Sequence, residues 1–450
     1  VVSGQDYADY IEEHIFRPLQ MNHSTVREPL GADTPESMSS EFEPLLATGY
    51  SKGPDGQPKA QPVDLVGAVA PAGSISSTAS DMARYMIARL DDDRFDGGRL
   101  VSAETSERMR QRLYDDRPGV VDMAHAMGDD VVEGFQWRWH NGGTTTFFSD
   151  MTLYPELQLG IFISTNSSDG GAELSGQLPK LIFKRYFSPK AEYQVPSPPA
   201  DFVQRGQKYA GQFMMSRASA TKLEKLTALG GVSTFKVDAD GYLIQSFLGQ
   251  THKWVEVSPG KFQNTSDKRT GYGSTAFLYF YDNEQGEAVR ATLPVSDLIR
   301  ISWWQSPSTL IVAFGLAVLL SLTTLLGALR RSGMKPRASE AIGIWPGRLA
   351  TLAAAAVLII VICVAATAAA AGSNPVSLLF NWPPAPLRLA LWLILLIIAL
   401  TLAMLWFLPK AWSRPGWSGW RKTHYTVFVL ACLFLLFVCT QWNLVGFKYY

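Results

Sequence analysis

Cysteine is scarce in this chain, and the first 362 residues contain none, which excludes a disulfide-built fold there. The three cysteines, Cys363, Cys432 and Cys439, all lie in long apolar runs. No group of cysteines and histidines has the spacing of a zinc site, and there is no EF-hand and no phosphate-binding loop. The sequence therefore predicts no metal and no cofactor. A secretory signal is also missing from the start of the sequence.

Net charge is absent as well, because 40 Lys and Arg balance 40 Asp and Glu, but the two signs are unevenly distributed. Residues 301–450 contain eleven Lys or Arg and a single acid, Glu340. The first 300 residues contain the other 29 basic and 39 acidic residues. A nucleic-acid-binding protein would need a clustered basic face in this acidic part, so no nucleic-acid partner is predicted.

Charged residues are almost missing from four long apolar runs in the last third of the chain. Each run is long enough to cross about 30 Å of hydrocarbon, which takes about 20 helical residues. One such run could be a buried core helix, but four in succession predict a multi-pass membrane region with the lipid bilayer as a partner. The runs are Thr309–Leu329, Leu349–Ala371, Leu389–Leu408 and Tyr425–Trp442.

The loops between these runs predict their orientation. Loops 330–348 and 409–423 carry nine Lys or Arg, whereas loop 372–387 carries none. Loops rich in Lys and Arg stay in the cytoplasm. The part of the chain before the first run is therefore predicted to lie outside the cytoplasm, as is the C-terminus. The runs contain no acid and no histidine pair, which favours an anchor over a conduit.

The most informative short segment is 140–143, His-Asn-Gly-Gly, which comes just before a largely apolar run. Two glycines in a strand allow a ligand to approach the backbone closely. A histidine at such a place can donate a hydrogen bond or move a proton near neutral pH. The alternative is a surface histidine before a glycine turn. We predict that His140 opens a strand near a sheet edge, and that Gly142 and Gly143 face an open cleft.

Three segments in the same order resemble one family. Segment 140–143 is similar to the third motif of the serine β-lactamase and penicillin-binding-protein superfamily, in the class C-like branch that has His-x-Gly where others have Lys-Thr-Gly. Tyr7–Val26 looks like the helix and Pro-Leu-Gly-Met segment that follow the family's second motif. Pro71–Leu90 is similar to the family's Pro-Ala-Gly-Gly and Ser-Thr-Ala-x-Asp-Met stretch. The resemblance covers residues 1–190.

This resemblance implies roles for three residues. His140 takes the place of the family's strand lysine, where it would move a proton or bind the carboxylate or carbonyl of the substrate. Gly142 would let the substrate lie antiparallel to the strand. The backbone N–H of Gly143 matches the family's second oxyanion donor, which stabilises the charge that develops on the carbonyl oxygen. The following residues, Thr144–Phe147, depart from many relatives, which have a glycine before the aromatic residue.

The family's nucleophile is missing from its expected place. A Ser-x-x-Lys and a Tyr-x-Asn should come before the His-x-Gly strand, and neither precedes His140. Ser258–Lys261 and Tyr281–Asn283 fit the two patterns but come later, and their neighbouring residues predict turns. We expect the chain to be the C-terminal part of a longer hydrolase and to be inactive alone.

The predicted fold class is mixed α/β with three parts. Residues 1–190 would form a partial β-lactamase-like α/β domain, and the proline-rich residues 191–204 a linker. Residues 205–300 contain short alternating runs joined by Gly, Asp and Asn turns, which predict a small antiparallel β-sheet or barrel. This part resembles the lipocalin-like C-terminal domain of some family members. Residues 301–450 would form four transmembrane helices.

The predicted function of the parent protein is a membrane-anchored extracytoplasmic serine hydrolase, with a D-alanyl peptide, a β-lactam or an ester as substrate. Two alternatives remain open. The hydrolase-like domain could bind the cell wall or a partner protein without catalysis. The membrane region could instead be a transporter or sensor that this domain regulates. Intact upstream motifs would favour the enzyme, and a polar groove between the spans would favour the transporter.

Overall fold

The computed structural model describes residues 2–31, 37–67, 70–113, 122–132, 134–187, 194–247, 249–266, 276–293, 296–332, 343–373 and 382–449. The fold is mixed α/β, as predicted, with an α/β part, a strand barrel and four long apolar helices. The chain divides into two compact units. One contains Val1–Ala210 and Lys236–Leu298, and the other contains Gly211–Phe235 and Ile299–Tyr450.

The α/β part lies in the first unit. Its helices are α1 (Tyr7–Ile11, continued by a π-helical turn over Glu12–Phe16), α2 (Ala70–Gly73), α3 (Ala79–Leu90), α4 (Ala103–Arg110) and α5 (Gly171–Tyr186). Its strands are β1 (Gly49–Lys52), β2 (Pro58–Gln61), β3 (Arg94–Phe95), β4 (Gly98–Arg99), β5 (Asp122–Ala124), β6 (Met127–Val132), β7 (Phe135–Gly143), β8 (Phe148–Tyr154) and β9 (Leu159–Thr165). Short 3₁₀ turns cover Glu43–Leu45 and Pro155–Leu157.

Strands β5 to β9 form an antiparallel sheet in sequential order, with a helix packed on each face. Side chains alternate between the two faces of a strand. Met151 and Leu153 of β8 therefore pack with Met86 of α3 on one face. On the other face, Tyr154 stacks on Phe183 of α5 with ring centroids 4.3 Å apart. The sheet is thus the middle layer of a helix–sheet–helix arrangement.

Helix α3 begins with a side-chain cap from Thr78. The Thr78 hydroxyl accepts a hydrogen bond from the backbone N–H of Asp81 at 3.2 Å. The buried Asp81 carboxylate in turn accepts hydrogen bonds from the backbone N–H of His23 and the hydroxyl of Ser24, both at 2.8 Å. Asp81 is therefore a structural first-turn acid, whose negative charge is favourable at the N-terminus of α3.

Eight strands form a closed barrel in sequential order. They are β10 (Gly211–Met215), β11 (Val232–Val237), β12 (Leu243–Phe247), β13 (Gln250–Ser258), β14 (Lys261–Asn264), β15 (Phe277–Asp282), β16 (Ala288–Leu293) and β17 (Ser296–Arg300). Within the first unit the interior is filled by fully buried apolar side chains such as Trp254, Phe262 and Leu278. A small barrel filled in this way is a packed core.

A short helical segment packs against the barrel strands of the first unit. It consists of α6 (Phe202–Arg205) and a 3₁₀ turn over Gly206–Tyr209. The Arg205 guanidinium pairs with the buried Glu256 carboxylate, and the Tyr209 hydroxyl donates to the same carboxylate at 3.4 Å. The ring of Tyr209 lies 5.0 Å from that of Phe262. A buried carboxylate needs such partners, because an unpaired buried charge is strongly unfavourable.

The four apolar runs form helices that are longer than predicted. They are α7 (Pro307–Ser332), α8 (Trp345–Ser373), α9 (Ala385–Ser413) and α10 (Gly419–Gln441). All four are long and apolar enough to cross a membrane, with mean hydropathies of 2.0 to 2.9. Helices α7 and α9 each contact both α8 and α10. Small buried residues such as Ala353 and Ala354 allow close approach of the helices.

The long β10–β11 loop packs against the end of the chain inside the second unit. The Asn443 side-chain amide donates hydrogen bonds to the carbonyl oxygens of Ala220 and Lys222, at 3.0 and 2.9 Å. The backbone N–H of Leu223 donates to the carbonyl of Lys448 at 2.9 Å. Leu223 is fully buried in one apolar cluster with residues of the helices. We call this contact of residues 216–231 with residues 441–449 the loop–tail joint.

Candidate functional site

Strand β7 carries the segment that sequence analysis selected, and its last four residues project beyond one neighbouring strand. β7 pairs with β6 from Phe135 to Trp139, and with β8 from Arg138 to Gly143. No described strand pairs with residues 140–143 on the side away from β8. These four residues are exposed, so the end of a central strand becomes a local sheet edge.

The prediction that His140 opens the strand is wrong. The strand begins five residues earlier, at Phe135, and His140 lies within it. Residues 135–139, Phe-Gln-Trp-Arg-Trp, alternate between aromatic and polar side chains, which is the pattern of a strand that is covered on one face. His140 nevertheless lies at the residue where the pairing with β6 has ended, so it is the first residue of the open edge.

The register shows which face His140 and Gly142 share. His140 lies opposite Met151, and Arg138 lies opposite Leu153. Because directly opposed residues point to the same face of a sheet, His140 and Gly142 belong to the face that packs against α3. Asn141 and Gly143 belong to the face of α5. A group that approached this edge from the α3 face would meet the imidazole and the bare backbone of Gly142.

The two glycines differ in what the fold requires of them. A Cβ atom at Gly142 would meet no heavy atom within 4 Å. A Cβ atom at Gly143 would lie 3.0 Å from Cδ1 of Phe148, which is tighter than ordinary contact. Packing therefore accounts in part for Gly143, whereas nothing in the described structure requires a glycine at 142. Open space beside this backbone is what the approach of a ligand needs.

The loop after β7 is fastened by a carboxylate that sequence analysis did not select. Asp64 Oδ2 accepts hydrogen bonds from the Thr144 hydroxyl at 2.6 Å, the Thr146 backbone N–H at 3.1 Å and the Thr146 hydroxyl at 3.2 Å. A Cβ atom at Gly49 would clash with the Thr146 side chain, at 2.1 Å from its hydroxyl oxygen. Two of the three threonines that depart from the family pattern, Thr144 and Thr146, thus hold the loop against residues 49 and 64.

A second acid that sequence analysis did not select lies on β8, the strand that pairs with residues 138–143 of β7. Asp150 is opposite Asn141 and is buried. Its pKa is raised because burial disfavours the charged carboxylate, although the Thr152 hydroxyl donates to it at 2.8 Å and Lys180 attracts the charge. Asp150 is the only charged residue in strand β8, and this was the signal that could have revealed it.

The two motif-like matches outside the α/β part are turns, as predicted. Ser258 and Lys261 are cross-strand partners at the β13–β14 turn. Tyr281 and Asp282 end β15, and the backbone N–H of Asn283 donates to the carbonyl of Glu287 in the turn that follows. Within the described part of the chain, no three His, Cys, Asp or Glu residues are grouped so that they could hold a metal ion.

Residues 1–179 match the family model described as beta-lactamase, so this part of the chain is a beta-lactamase family domain. No curated protein matches the chain. Among solved structures, the octameric penicillin-binding protein homologue from Pyrococcus abyssi is 19% identical, with a TM-score of 0.33, over 66% of this chain and 61% of that chain. SurE is 17% identical, with a TM-score of 0.42, over 66% of this chain and 64% of that chain.

A D-stereospecific amidohydrolase from Streptomyces sp. is 18% identical, with a TM-score of 0.31, over 41% of this chain and 50% of that chain. The chain therefore spans less than two thirds of the length of each of these three structures. Likeness at these values says nothing about activity. The geometry at the end of β7 is the feature of this chain from which a function can be argued.

Proposed function

We propose that the beta-lactamase family domain over residues 1–179 supplies the substrate-binding strand of a serine hydrolase of the class C-like, His-x-Gly branch. The observation that carries the proposal is the open edge of β7 at residues 140–143, where space is left free beside Gly142. The substrate would be a D-alanyl peptide, a β-lactam or an ester. Each of these offers a carbonyl carbon to a serine and a leaving group that a proton must reach.

Each of the three site residues acts at a different part of the substrate. The backbone N–H of Gly143 stabilises the negative charge on the carbonyl oxygen during attack. Gly142 lets the acyl group lie along the strand. His140 moves a proton or binds a polar group of the substrate. No Ser-x-x-Lys precedes His140, so no residue of this sequence is assigned as the serine nucleophile or as its base.

We propose further that α7 to α10 anchor this domain in the cell membrane, with the α/β and barrel parts outside the cytoplasm. The four helices have the length and hydropathy of spans. Basic residues concentrate in the loops at 330–348 and 409–423, and such loops stay in the cytoplasm. Trp303 and Trp304 lie just before α7, where interfacial aromatic residues are common.

His140→Ala tests the catalytic proposal in a protein that carries the Ser-x-x-Lys and Tyr-x-Asn motifs upstream of these residues. We expect kcat/KM for an ester or nitrocefin to fall by about 10²–10⁴, because general acid–base roles contribute this much. The matched control is His125→Ala, which removes an exposed histidine from the β5–β6 turn of the same sheet. An equal loss in both variants, or full turnover by His140→Ala, would contradict the role of His140.

A protein with only the 450 residues of this sequence should hydrolyse neither nitrocefin nor an ester. A fluorophosphonate probe should label no serine within residues 1–190. Stoichiometric labelling there would show that the nucleophile lies inside this sequence. Absence of acylation in a protein with both upstream motifs would favour the alternative, a non-catalytic binding module.

Cysteine labelling tests the membrane orientation. Single cysteines at Ser332, Ser373 and Ser418, in a background without the native cysteines, should differ in their reaction with an impermeant thiol reagent added outside intact cells. We expect only the cysteine at position 373 to react. Labelling from outside at position 332 or 418 would show that the orientation is the opposite of the proposed one.

A further inference from the structure

The backbone amide of Gly143 points out of the open edge of β7, away from β8. The next backbone N–H, that of Thr144, donates to the carbonyl of Phe147 at 2.9 Å, so residues 144 and 147 form a hydrogen-bonded pair. Opposed residues of antiparallel strands alternate between hydrogen-bonded and non-hydrogen-bonded pairs. Gly143, opposite Phe148, therefore belongs to a pair whose amides are not used between β7 and β8. Its N–H faces the side on which no described strand pairs with residues 140–143.

The direction of this amide depends on the turn that follows it, residues 144–147. The Thr144 hydroxyl accepts a hydrogen bond from the backbone N–H of Phe147 at 3.2 Å, so the side chain of Thr144 helps to close the turn. The same hydroxyl donates to Oδ2 of Asp64 at 2.6 Å, a distance typical of a charged acceptor. One hydroxyl thus connects the turn after Gly143 to a carboxylate that is 80 residues away in the chain.

Asp64 holds the turn at a second residue as well. Its Oδ2 also accepts hydrogen bonds from the backbone N–H of Thr146 at 3.1 Å and from the Thr146 hydroxyl at 3.2 Å. Thr146 is buried, and buried polar groups need hydrogen-bond partners. One carboxylate oxygen therefore fixes the first and third residues of the turn relative to each other.

The segment that carries Asp64 is itself held by a second carboxylate. Residues 62–66 belong to no helix or strand. The buried side chain of Glu28 accepts hydrogen bonds from the backbone N–H groups of Val66 and Gly67. A side chain can orient another group accurately only when its own position is fixed by surrounding contacts. Glu28 supplies this support to the segment of Asp64.

We propose that Asp64 is a positioning residue for the oxyanion donor, which orients the N–H of Gly143 through the turn 144–147. The inference rests on the hydrolase function proposed above. A donor stabilises the charged oxygen when it lies about 2.7–3.1 Å from the position that this oxygen takes during attack. A small rotation of the Gly143 peptide would therefore weaken the stabilisation. Thr144 and Thr146, which depart from the family pattern, supply the hydrogen bonds through which Asp64 acts.

Substitutions in the turn separate orientation of the amide from stability of the fold. Thr144→Val removes the hydroxyl at nearly constant shape, Thr144→Ser keeps it, and Asp64→Asn keeps an acceptor of the same size without the charge. Ser51→Ala is the matched control, because it removes one hydrogen bond, from the Gln61 amide at 2.7 Å, in the hairpin that leads to Asp64.

Two measurements are made on each variant. The values of kcat and KM for an ester are measured in a protein that carries the Ser-x-x-Lys and Tyr-x-Asn motifs upstream of these residues. Hydrogen–deuterium exchange of peptides that cover residues 140–148 is measured in the 450-residue chain. The exchange reports on the turn in the absence of catalysis, and the kinetics report on the oxyanion donor.

We expect Thr144→Val and Asp64→Asn to lower kcat by about 10²-fold with little change in KM. A displacement of about 1 Å costs about this factor, and an interaction made only in the transition state affects kcat. The amides of residues 144–147 should exchange faster in the same two variants, because their hydrogen bonds open more often. Thr144→Ser and Ser51→Ala should keep the kcat and the exchange rates of the wild type.

Wild-type kcat in Thr144→Val and Asp64→Asn, or an equal loss of kcat in Thr144→Ser, would overturn the role of Asp64 while the proposed hydrolase function stands. A change in KM alone would also overturn it, because the lost contact would then serve substrate binding. Unchanged exchange in all variants would show that the turn does not depend on Asp64. Absence of turnover by the wild-type protein with both motifs would refute the proposed function, and this inference with it.

Discussion

Gly142→Ala separates what the fold requires from what the proposed site requires. No heavy atom lies within 4 Å of the position that the new methyl group would take, and Gly142 is not among the glycines with positive φ. Alanine should therefore fit without strain. A glycine inside a strand costs about 0.5–1 kcal/mol relative to alanine, so we expect the free energy of unfolding to rise by about that amount.

The same methyl group would occupy the space beside the open edge of β7. In a protein with the upstream motifs, a substrate aligned on this strand would be displaced by about the radius of a methyl group. Displacements of about 1 Å at a reacting centre cost about 10²-fold in rate. We therefore expect kcat/KM to fall by about 10²-fold while the melting temperature rises by about 2–4 °C.

Thermal unfolding and ester hydrolysis, measured on the same preparations, check both expectations. Gly176→Ala is the matched control, because Gly176 lies in α5 and its Cβ would also meet no atom within 4 Å. It should gain about 1 kcal/mol of helix stability and leave turnover unchanged. If Gly142→Ala destabilises the domain, the glycine serves the fold. If it keeps full turnover, no substrate lies on this strand.

Three further predictions concern groups that hold the structure. Asp150→Asn should raise the melting temperature at neutral pH: burial raises the pKa of this carboxyl in the folded state, so the ionised form lowers stability as the pH rises through that pKa. The gain should vanish as the pH falls below about 3.8, and a gain independent of pH would contradict this cause. Asp64→Ala should lower the free energy of unfolding by about 1–3 kcal/mol in urea titration, because a charged acceptor of three hydrogen bonds is lost from loop 144–147. Asn443→Ala should make the β10–β11 loop sensitive to trypsin, and equal cleavage of wild type and variant would show that the amide does not hold the loop.

Local sequence patterns predict the elements whose side-chain period is uninterrupted. Among the short alternating runs within residues 205–300, the run at 288–293 is strand β16, and the run at 253–257 lies within the longer β13. The apolar runs mark α7 to α10 but fall short of most of their ends, for example at Ser332 and Ser413. The backbone hydrogen bonds of a helix do not depend on apolar side chains, so each helix continues into the polar residues beyond its apolar run. Hydrophobicity measures the thickness of the apolar layer, whereas backbone hydrogen bonding decides where a helix ends.

The site was only partly predictable for a physical reason. Segment 140–143 contains two adjacent glycines, which mark a place where a ligand can approach the backbone closely, so it could be selected from the sequence. Its open edge depends on where β6 ends, and its loop depends on Asp64, which is 80 residues away from Thr144 in the chain. Contacts over such separations follow from the packing of whole layers, and no local period encodes them. The long β10–β11 loop was missed for the same reason.

The loop–tail joint imposes an order on the assembly of this protein, because its two sides are synthesised far apart in time. Asn443 donates to the carbonyls of Ala220 and Lys222 across sequence separations of 223 and 221 residues. A ribosome adds about 5–20 residues per second, so the carbonyls wait on the order of ten seconds or more for their donor. During that interval Leu223, buried in the finished structure, lacks its helical neighbours. Chaperones bind exposed apolar segments of this kind. The nascent loop 216–231 is therefore a segment that a chaperone can bind until α10 and residues 441–449 have been made.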